Sequence, residues 1–433
     1  MRKRAFWFLA LAMLLVVFSG CSSRPDSGNG SGGSAETGSG KIGSGKAKTT
    51  LSMMVNISDE SLTKAYREIV DGFTKENPDI SVNLQFDSTG YENTMKVKMA
   101  ANDLPDIFDT HGWAKLRYGD YLADLRDEPW ASKLTDTIRD VVTDKDGKVY
   151  ALVLTEAKDG LLYNVDMLEK YGIEVPRTFD EMVAAGEKIK KESGGKTTPF
   201  YLSGIDDSMI GQYLDNFANP LLITAKNNDA DALLNGSFDW SHMTPLAQSL
   251  LTLQKQGLIN EDVLTAKRSD LPAAFAAEKV TFALVGPAFM DSVHEIAPDM
   301  KIGIMPVPSM VAGDEPTFAG GERNTLAVWK DSKHLDEAKQ LLQYFAKPDN
   351  MAKLSNVSKN PPGLKDVKTD HELTPYYEKY ANIRVFPYFD RVYLPNGMWD
   401  VLCKNGTELL AGRMTPEQFS ASMKTEVERL SKK

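Results

Sequence analysis

The chain reads as an α/β protein built on parallel sheet strands, divided into two domains. Two observations lead there: strand and helix patterns alternate from residue 49 onward, and 433 residues exceed what one ordinary core organises. Thr50 to Val55 is rich in β-branched and apolar residues and predicts a strand. Leu62, Ala65, Tyr66, Ile69, Val70 and Phe73 then recur at helical spacing, and Asn77-Pro78 stops that helix. Ile80, Val82, Leu84 and Phe86 alternate with polar residues, as a half-buried strand does. Met95, Val97, Met99 and Ala100 predict a second helix, and Asp106 to Asp109 a third strand after Pro105. This β-α-β-α-β order favours a parallel sheet.

A second α/β unit begins after Tyr150. Leu161 to Tyr163 predicts a strand, and Thr178 with Glu181 forms a capping box for a helix reaching about Glu192. Further helices are expected near 208–218, 244–256 and 270–277. Thr281 to Val285 reads as a buried strand ending at Gly286-Pro287, followed by strands at Ile302 to Val307 and Thr325 to Trp329. Leu335, Ala338, Leu341, Leu342 and Phe345 make an amphipathic helix. A last helix is capped by Thr415, has Pro416 at its first position, and turns Phe419, Met423, Val427 and Leu430 inward. There is no repeat of fixed period.

The N-terminus carries an address. Met1-Arg2-Lys3-Arg4 precedes fourteen apolar residues, Ala5 to Phe18. That run is short for a bilayer span of roughly 20 residues and suits an export signal. Ser19-Gly20-Cys21 follows, and the segment resembles the bacterial lipobox, with Phe18 where Leu is usual. The resemblance implies cleavage before Cys21 and a lipid on its thiol. Residues 22–48 are mostly Ser, Gly, Asn, Thr and Lys, with Ile42 as the only large aliphatic, and predict a flexible tether. Without residues 1–20 the formal charge goes from −10 to −13, which argues against nucleic acid and against electrostatic binding to anionic lipid. Cys403 is the only other cysteine, so no intrachain disulfide is expected, and its neighbours Val401 and Leu402 suggest a buried apolar role.

Six segments, in order, resemble the family 1 extracellular solute-binding proteins of ABC importers, the sugar-binding branch. They are Ala65 to Phe86, Met99 to Phe108 ("MAANDLPDIF"), Asp146 to Glu181, Phe275 to Ser292, Ala319 to Lys330 ("AGGERNTLAVWK") and Leu409 to Phe419 ("LLAGRMTPEQF"). The resemblance implies a periplasmic-binding-protein-like fold of type II, two α/β lobes with mostly parallel sheets joined by a hinge. The expected lobes are 49–155 with 300–345, and 156–299 with 346–433. It further implies a sugar or oligosaccharide held between the lobes and handed to membrane permease subunits. The protein would be a lipid-anchored monomer on the outer face of the cytoplasmic membrane, without cofactor, metal or catalysis.

Sugar recognition combines flat aromatic rings against a pyranose with polar groups on its hydroxyls. Trp113, in "DTHGW", and Trp399, in "PNGMWDVL", match positions where the resemblance places ligand contacts. Many relatives carry Trp at the Gly286-Pro287 turn; here Ala288 and Phe289 stand there, so Phe289 is the candidate. Trp130, Trp240 and Trp329 are expected to be structural. Asp109 and His111 sit at the mouth of the parallel sheet, where ligands gather. Glu156 and Lys158 interrupt an otherwise apolar crossing segment, a costly placement unless they are paired or face a cleft. Asp206, Asp207, Glu322, Arg323 and Asp390 complete the set of expected ligand contacts.

Two other classes fit the sequence less well. A glycoside hydrolase needs two carboxylates about 5–10 Å apart across the scissile bond, and no hydrolase motif is present. A metal receptor could use Asp144-Lys145-Asp146-Gly147 or Tyr376-Tyr377. The first has Val149 and Thr155 where a calcium loop needs Gly and Glu, so a hairpin turn is expected there. The paired tyrosines stand among Glu372, Pro375, Glu378 and Lys379, as in an exposed helix start.

Overall fold

The computed structural model describes residues 49–432. The export signal at 1–20, Cys21 and the tether to residue 48 lie outside the described residues. Ten strands are described: β1 (Thr49–Val55), β2 (Ile80–Phe86), β3 (Ile107–Phe108), β4 (Leu152–Asp159), β5 (Leu161–Asn164), β6 (Thr198–Phe200), β7 (Val280–Ala283), β8 (Ile302–Met305), β9 (Phe318–Val328) and β10 (Val385–Pro387). They form two sheets. In the first, β2, β1 and β3 run parallel, and β9 pairs antiparallel with both β3 and β4 and parallel with β10. In the second, β6 and β7 are parallel while β5 is antiparallel to β7 and β8. The sheets are therefore mixed, with the parallel run concentrated in β1 to β3.

Each sheet has its own apolar core. One gathers Leu51 to Leu154 with Leu326 to Leu364; the other gathers Leu161 to Phe318 with Leu373 to Met423. β9 gives Phe318 to the second core and Leu326 to Val328 to the first, and with β4, whose Leu152 to Leu154 lie in the first core, it forms an antiparallel ribbon that runs from one core to the other. Two glycines let the ribbon pack. A Cβ on Gly160, between β4 and β5, would lie 2.0 Å from the Met305 carbonyl oxygen, and one on Gly320 would lie 1.9 Å from that of Ala157.

Two segments pack on the opposite side from the expected lobe division. Residues 300–318 belong with the second core, because β8 pairs with β5. The helix Pro348–Ser358 belongs with the first, burying Met351 and Leu354 there, with Lys353 paired to Glu68 at 2.8 Å. Both placements arise from partners far away in sequence.

Local patterns map closely onto the elements. The helix Glu60–Glu76 buries Leu62, Ala65, Tyr66, Ile69, Val70 and Phe73, and the Asp59 side chain accepts the Leu62 amide at 2.7 Å. Capping boxes open Phe179–Glu192 at Thr178 and Pro416–Leu430 at Thr415. The helix Tyr91–Ala101 forms as expected but buries Tyr91 and Met95 and leaves Val97 exposed. Asp144 accepts the amides of Asp146 and Lys148, and Thr143 bridges Val149, which makes the hairpin. No described helix is long and apolar enough to cross a membrane.

Candidate functional site

A cavity of about 500 Å³ lies between the lobes. One wall is the segment after β3. Asp109 is buried there and accepts the Thr325 hydroxyl at 2.7 Å and the His111 amide at 2.9 Å. These bonds tie the segment to β9 and hold a tight reversal, His111 at φ 46° and Gly112 at φ 82°. The reversal sets Trp113 and His111 in the cavity wall beside Glu92, Lys96 and Arg117. Arg117 lies 4.4 Å over the Trp113 ring and is paired with Glu92, which also reaches His111 at 3.3 Å.

The floor comes from the crossing ribbon. Asp159 on β4 and Arg323 on β9 line the cavity, and the Arg323 guanidinium donates to Asp159 Oδ2 at 2.5 Å. The Tyr388 hydroxyl donates to the same carboxylate at 2.6 Å. The opposite wall carries Gln212, Asp215 and Asn216 from the helix Ser208–Leu222, then Tyr388, Asp390 and Arg391, then Asn396 to Asp400 with Trp399. Gly397 caps the helix Met398–Leu410 at φ 97°, a backbone conformation that suits glycine.

The expected residues divide sharply. His111, Trp113, Arg323, Asp390 and Trp399 come together around the cavity. Asp109 and Glu322 stand behind it as supports: Glu322 Oε1 accepts the Ala114 amide at 3.0 Å. Burial pushes the Asp109 carboxyl up, and the Glu322 carboxyl up to about 7.

Glu156 and Lys158 do not line the cavity. Glu156 accepts the hydroxyls of Thr135 at 3.0 Å and Thr137 at 2.5 Å, while Lys158 donates to the Tyr380 carbonyl at 3.0 Å and lies 5.0 Å from the Phe318 ring. Strand alternation explains the difference, since Glu156 and Lys158 share one face and Asp159 takes the other. Asp206 and Asp207 are exposed at the start of Ser208–Leu222, Asp206 accepting the Arg268 amide at 3.1 Å; the same helix reaches the cavity only at Gln212 and beyond. Phe289 packs edge-on against Phe275 at 5.3 Å, outside the cavity lining.

Trp130 is buried in the first core and Trp240 packs edge-on against Phe238 at 5.0 Å. Tyr377 is buried rather than exposed, and Tyr376 is partly covered.

Asp159, Asp215 and Asn216 escaped the sequence reading. Asp159 had a signal, a third charge after Glu156 and Lys158 in the same crossing segment. Asp215 and Asn216 had one too, an adjacent polar pair inside the mostly apolar helix run "YLDNFANPLL". Two lining residues keep buried polar atoms unpartnered within the protein, Asn216 Oδ1 as an acceptor and Arg323 Nε as a donor. The cavity thus offers two indoles, both signs of charge, and donor and acceptor capacity still open.

Comparisons with known proteins agree with this architecture. Residues 59–352 match the family of bacterial extracellular solute-binding proteins. The chain is 43% identical over 423 residues to the melibiose/raffinose/stachyose-binding protein of Bacillus subtilis, covering 98% of this chain and 96% of that one. A binding protein of Bacillus subtilis solved in an open conformation superimposes with a TM-score of 0.85 at 45% identity, covering 89% of this chain and 98% of that one. A sugar transporter of Bacillus licheniformis in complex with stachyose gives 0.79 at 45% identity, covering 88% and 100%.

Proposed function

The chain belongs to the bacterial extracellular solute-binding proteins, and from that premise we propose that it captures oligosaccharides of the melibiose, raffinose and stachyose series for an ABC importer. The observation that carries the reading is the pair of indoles, Trp113 from one lobe and Trp399 from the other, lining one interlobe cavity. Rings of this kind pack against the apolar face of a pyranose, while Asp159, Arg323, Asn216 and Asp390 suit its hydroxyls. The likeness to the melibiose/raffinose/stachyose-binding protein supports this sugar series in particular. A ligand touching both lobes favours the closed form over the open one, with the β4–β9 ribbon as the hinge.

In this reading residues 1–20 are an export signal, and Cys21 carries the lipid that holds a monomeric receptor on the outer face of the membrane. Residues 22–48 join that anchor to the lobes. Its two lobes follow the two apolar cores. Held near its permease, the receptor delivers sugar by local concentration. It binds without cutting.

Calorimetry of the purified chain against melibiose, raffinose, stachyose, maltose and a polyamine tests the reading. Saturable binding of the first three is expected, with no release of reducing ends on incubation. Binding of the polyamine alone would overturn it.

A further inference from the structure

Asp215 and Asp390 stand together in the cavity wall with little positive charge to hold both ionised. Asp215 is 2% exposed on the helix Ser208–Leu222, and the Asp390 amide donates to its Oδ1 at 2.7 Å. Arg391 is the cation nearest in sequence, and its guanidinium lies over the rings of Tyr388 at 4.3 Å and Trp113 at 5.8 Å.

The elements packed on that helix add few free cations. β9 contributes Glu322, and Arg323, which is bonded to Asp159. The helix Met398–Leu410 contributes Asp400, Lys404 and Glu408, the last paired to Arg413. The helix Thr244–Lys255 has only Lys255, at its far end. The turn Trp240–Met243 has His242, 3.0 Å from Asp229. Helix Ala230–Asn235, which packs against the Phe389–Tyr393 segment, adds only Asp231. Beside Asp215, Asn216 is wholly buried with its Oδ1 unpartnered and lines the same cavity.

Two carboxyls on residues joined in this way, in one cavity wall and with Asp215 almost wholly buried, do not both ionise near neutrality. Burial moves both: Asp215 rises well above the ordinary carboxylate range, with the charge of Asp390 adding to the rise, and Asp390 rises through burial alone, with Arg391 and the bond to Asp215 opposing. We propose that Asp215 and Asp390 share one proton at neutral pH and present it to the bound sugar as a single donor–acceptor unit. A protonated carboxyl donates to a hydroxyl oxygen while its ionised neighbour accepts a hydroxyl proton. A sugar hydroxyl needs both at once, and a carboxyl–carboxylate pair supplies both from one spot. Loss of the shared proton leaves two anions facing the ligand with no donor between them. Affinity then falls as pH rises.

This inference rests on the sugar reading above, and the test separates the two. Calorimetry of the full-length chain with raffinose between pH 6 and 8.5 is expected to show affinity dropping about tenfold or more, the weight of one proton over at least one pH unit. In Asp215→Asn the ratio of affinities at the two ends should shrink to within about twofold. Carboxyl ¹³C NMR titration of the sugar-free chain, labelled at aspartate, reads the proton directly: a resonance titrating well above the ordinary carboxylate range is expected in wild type and is expected to be lost in Asp215→Asn. A flat wild-type profile with raffinose, or no raised aspartate resonance that disappears in Asp215→Asn, overturns the shared proton. Should the chain bind none of the series, the sugar reading fails, and the NMR titration still decides whether the pair holds a proton.

Discussion

Arg391 of the second lobe reaches over the indole of Trp113 in the first, 5.8 Å from its ring, and its guanidinium fills the space where Gly112 lacks a side chain. A Cβ on Gly112 would stand 1.9 Å from Arg391 Nη1. The arginine is thus a bridge across the cavity, stacked at its base on Tyr388 at 4.3 Å. A cation over an aromatic face contributes about 0.5–2 kcal/mol, depending on exposure. Arg391→Ala is expected to shift the sugar-free protein toward the open form, read as a larger radius of gyration in solution scattering. An unchanged radius would show that the bridge does not bias closure.

Trp399 and Trp113 are expected to carry much of the ligand affinity. Each is only partly buried, so truncation leaves the core intact. Trp399→Ala should weaken raffinose binding at least tenfold, about 1.4 kcal/mol, with the melting temperature of the free protein close to wild type. Unchanged affinity would remove Trp399 from the site.

Glu322 makes stability pH-dependent. Burial pushes its carboxyl from the ordinary range up to about 7, against the Ala114 amide and Arg391, which favour the anion. Its folded value lies above its unfolded one. The stability it contributes is therefore fully present below about pH 4 and is lost as pH rises through about 7, by about 3 kcal/mol at most. Glu322→Gln keeps the acceptor for Ala114 and removes the titration. Urea unfolding should show the variant gaining on wild type between pH 5 and 8. A constant difference across that range would place the titration elsewhere.

Asp159 holds the floor of the cavity. It is the acceptor for both Arg323 and the Tyr388 hydroxyl, and its side chain is 6% exposed. Asp159→Ala leaves a largely covered guanidinium without its counter-charge, a loss of about 3 kcal/mol measured by denaturant midpoint. Asp159→Asn should lose less, because the amide oxygen still accepts. Equal losses would mean that charge is not what holds Arg323.

Cys403 is expected to be inert in the folded protein. It is 4% exposed, and burial pushes its thiol up to about 12, so almost no thiolate forms at neutral pH. Its sulfur packs against Gly211, where an added Cβ would stand 2.3 Å away. Thiol reagents should react only at the rate of unfolding, and fast labelling under native conditions would contradict this.

The helix Glu60–Glu76 and the capping boxes at Thr178 and Thr415 were legible because the period of apolar residues and the caps are local properties. Trp113 and Trp399 were legible because motifs surround them. Glu156 and Lys158 were misplaced by one position of strand parity, which nothing in the local composition of β4 reveals. Asp206 and Asp207 marked the right helix at the wrong end, since how far a helix reaches into a cleft depends on what it packs against.

The sequence by itself determined the class of the molecule, the alternation of its elements and the aromatic and charged stock of its cleft. The tertiary structure alone decided that β8 and the helix Pro348–Ser358 join the lobes they do, and that Asp159 rather than Glu156 faces the cavity. It also brought Asp390 against Asp215, 175 positions away. The reason is common to all three. Period and caps are written within one turn or one strand, whereas side-chain facing and charge pairing follow from contacts between segments that meet only when both lobes have formed.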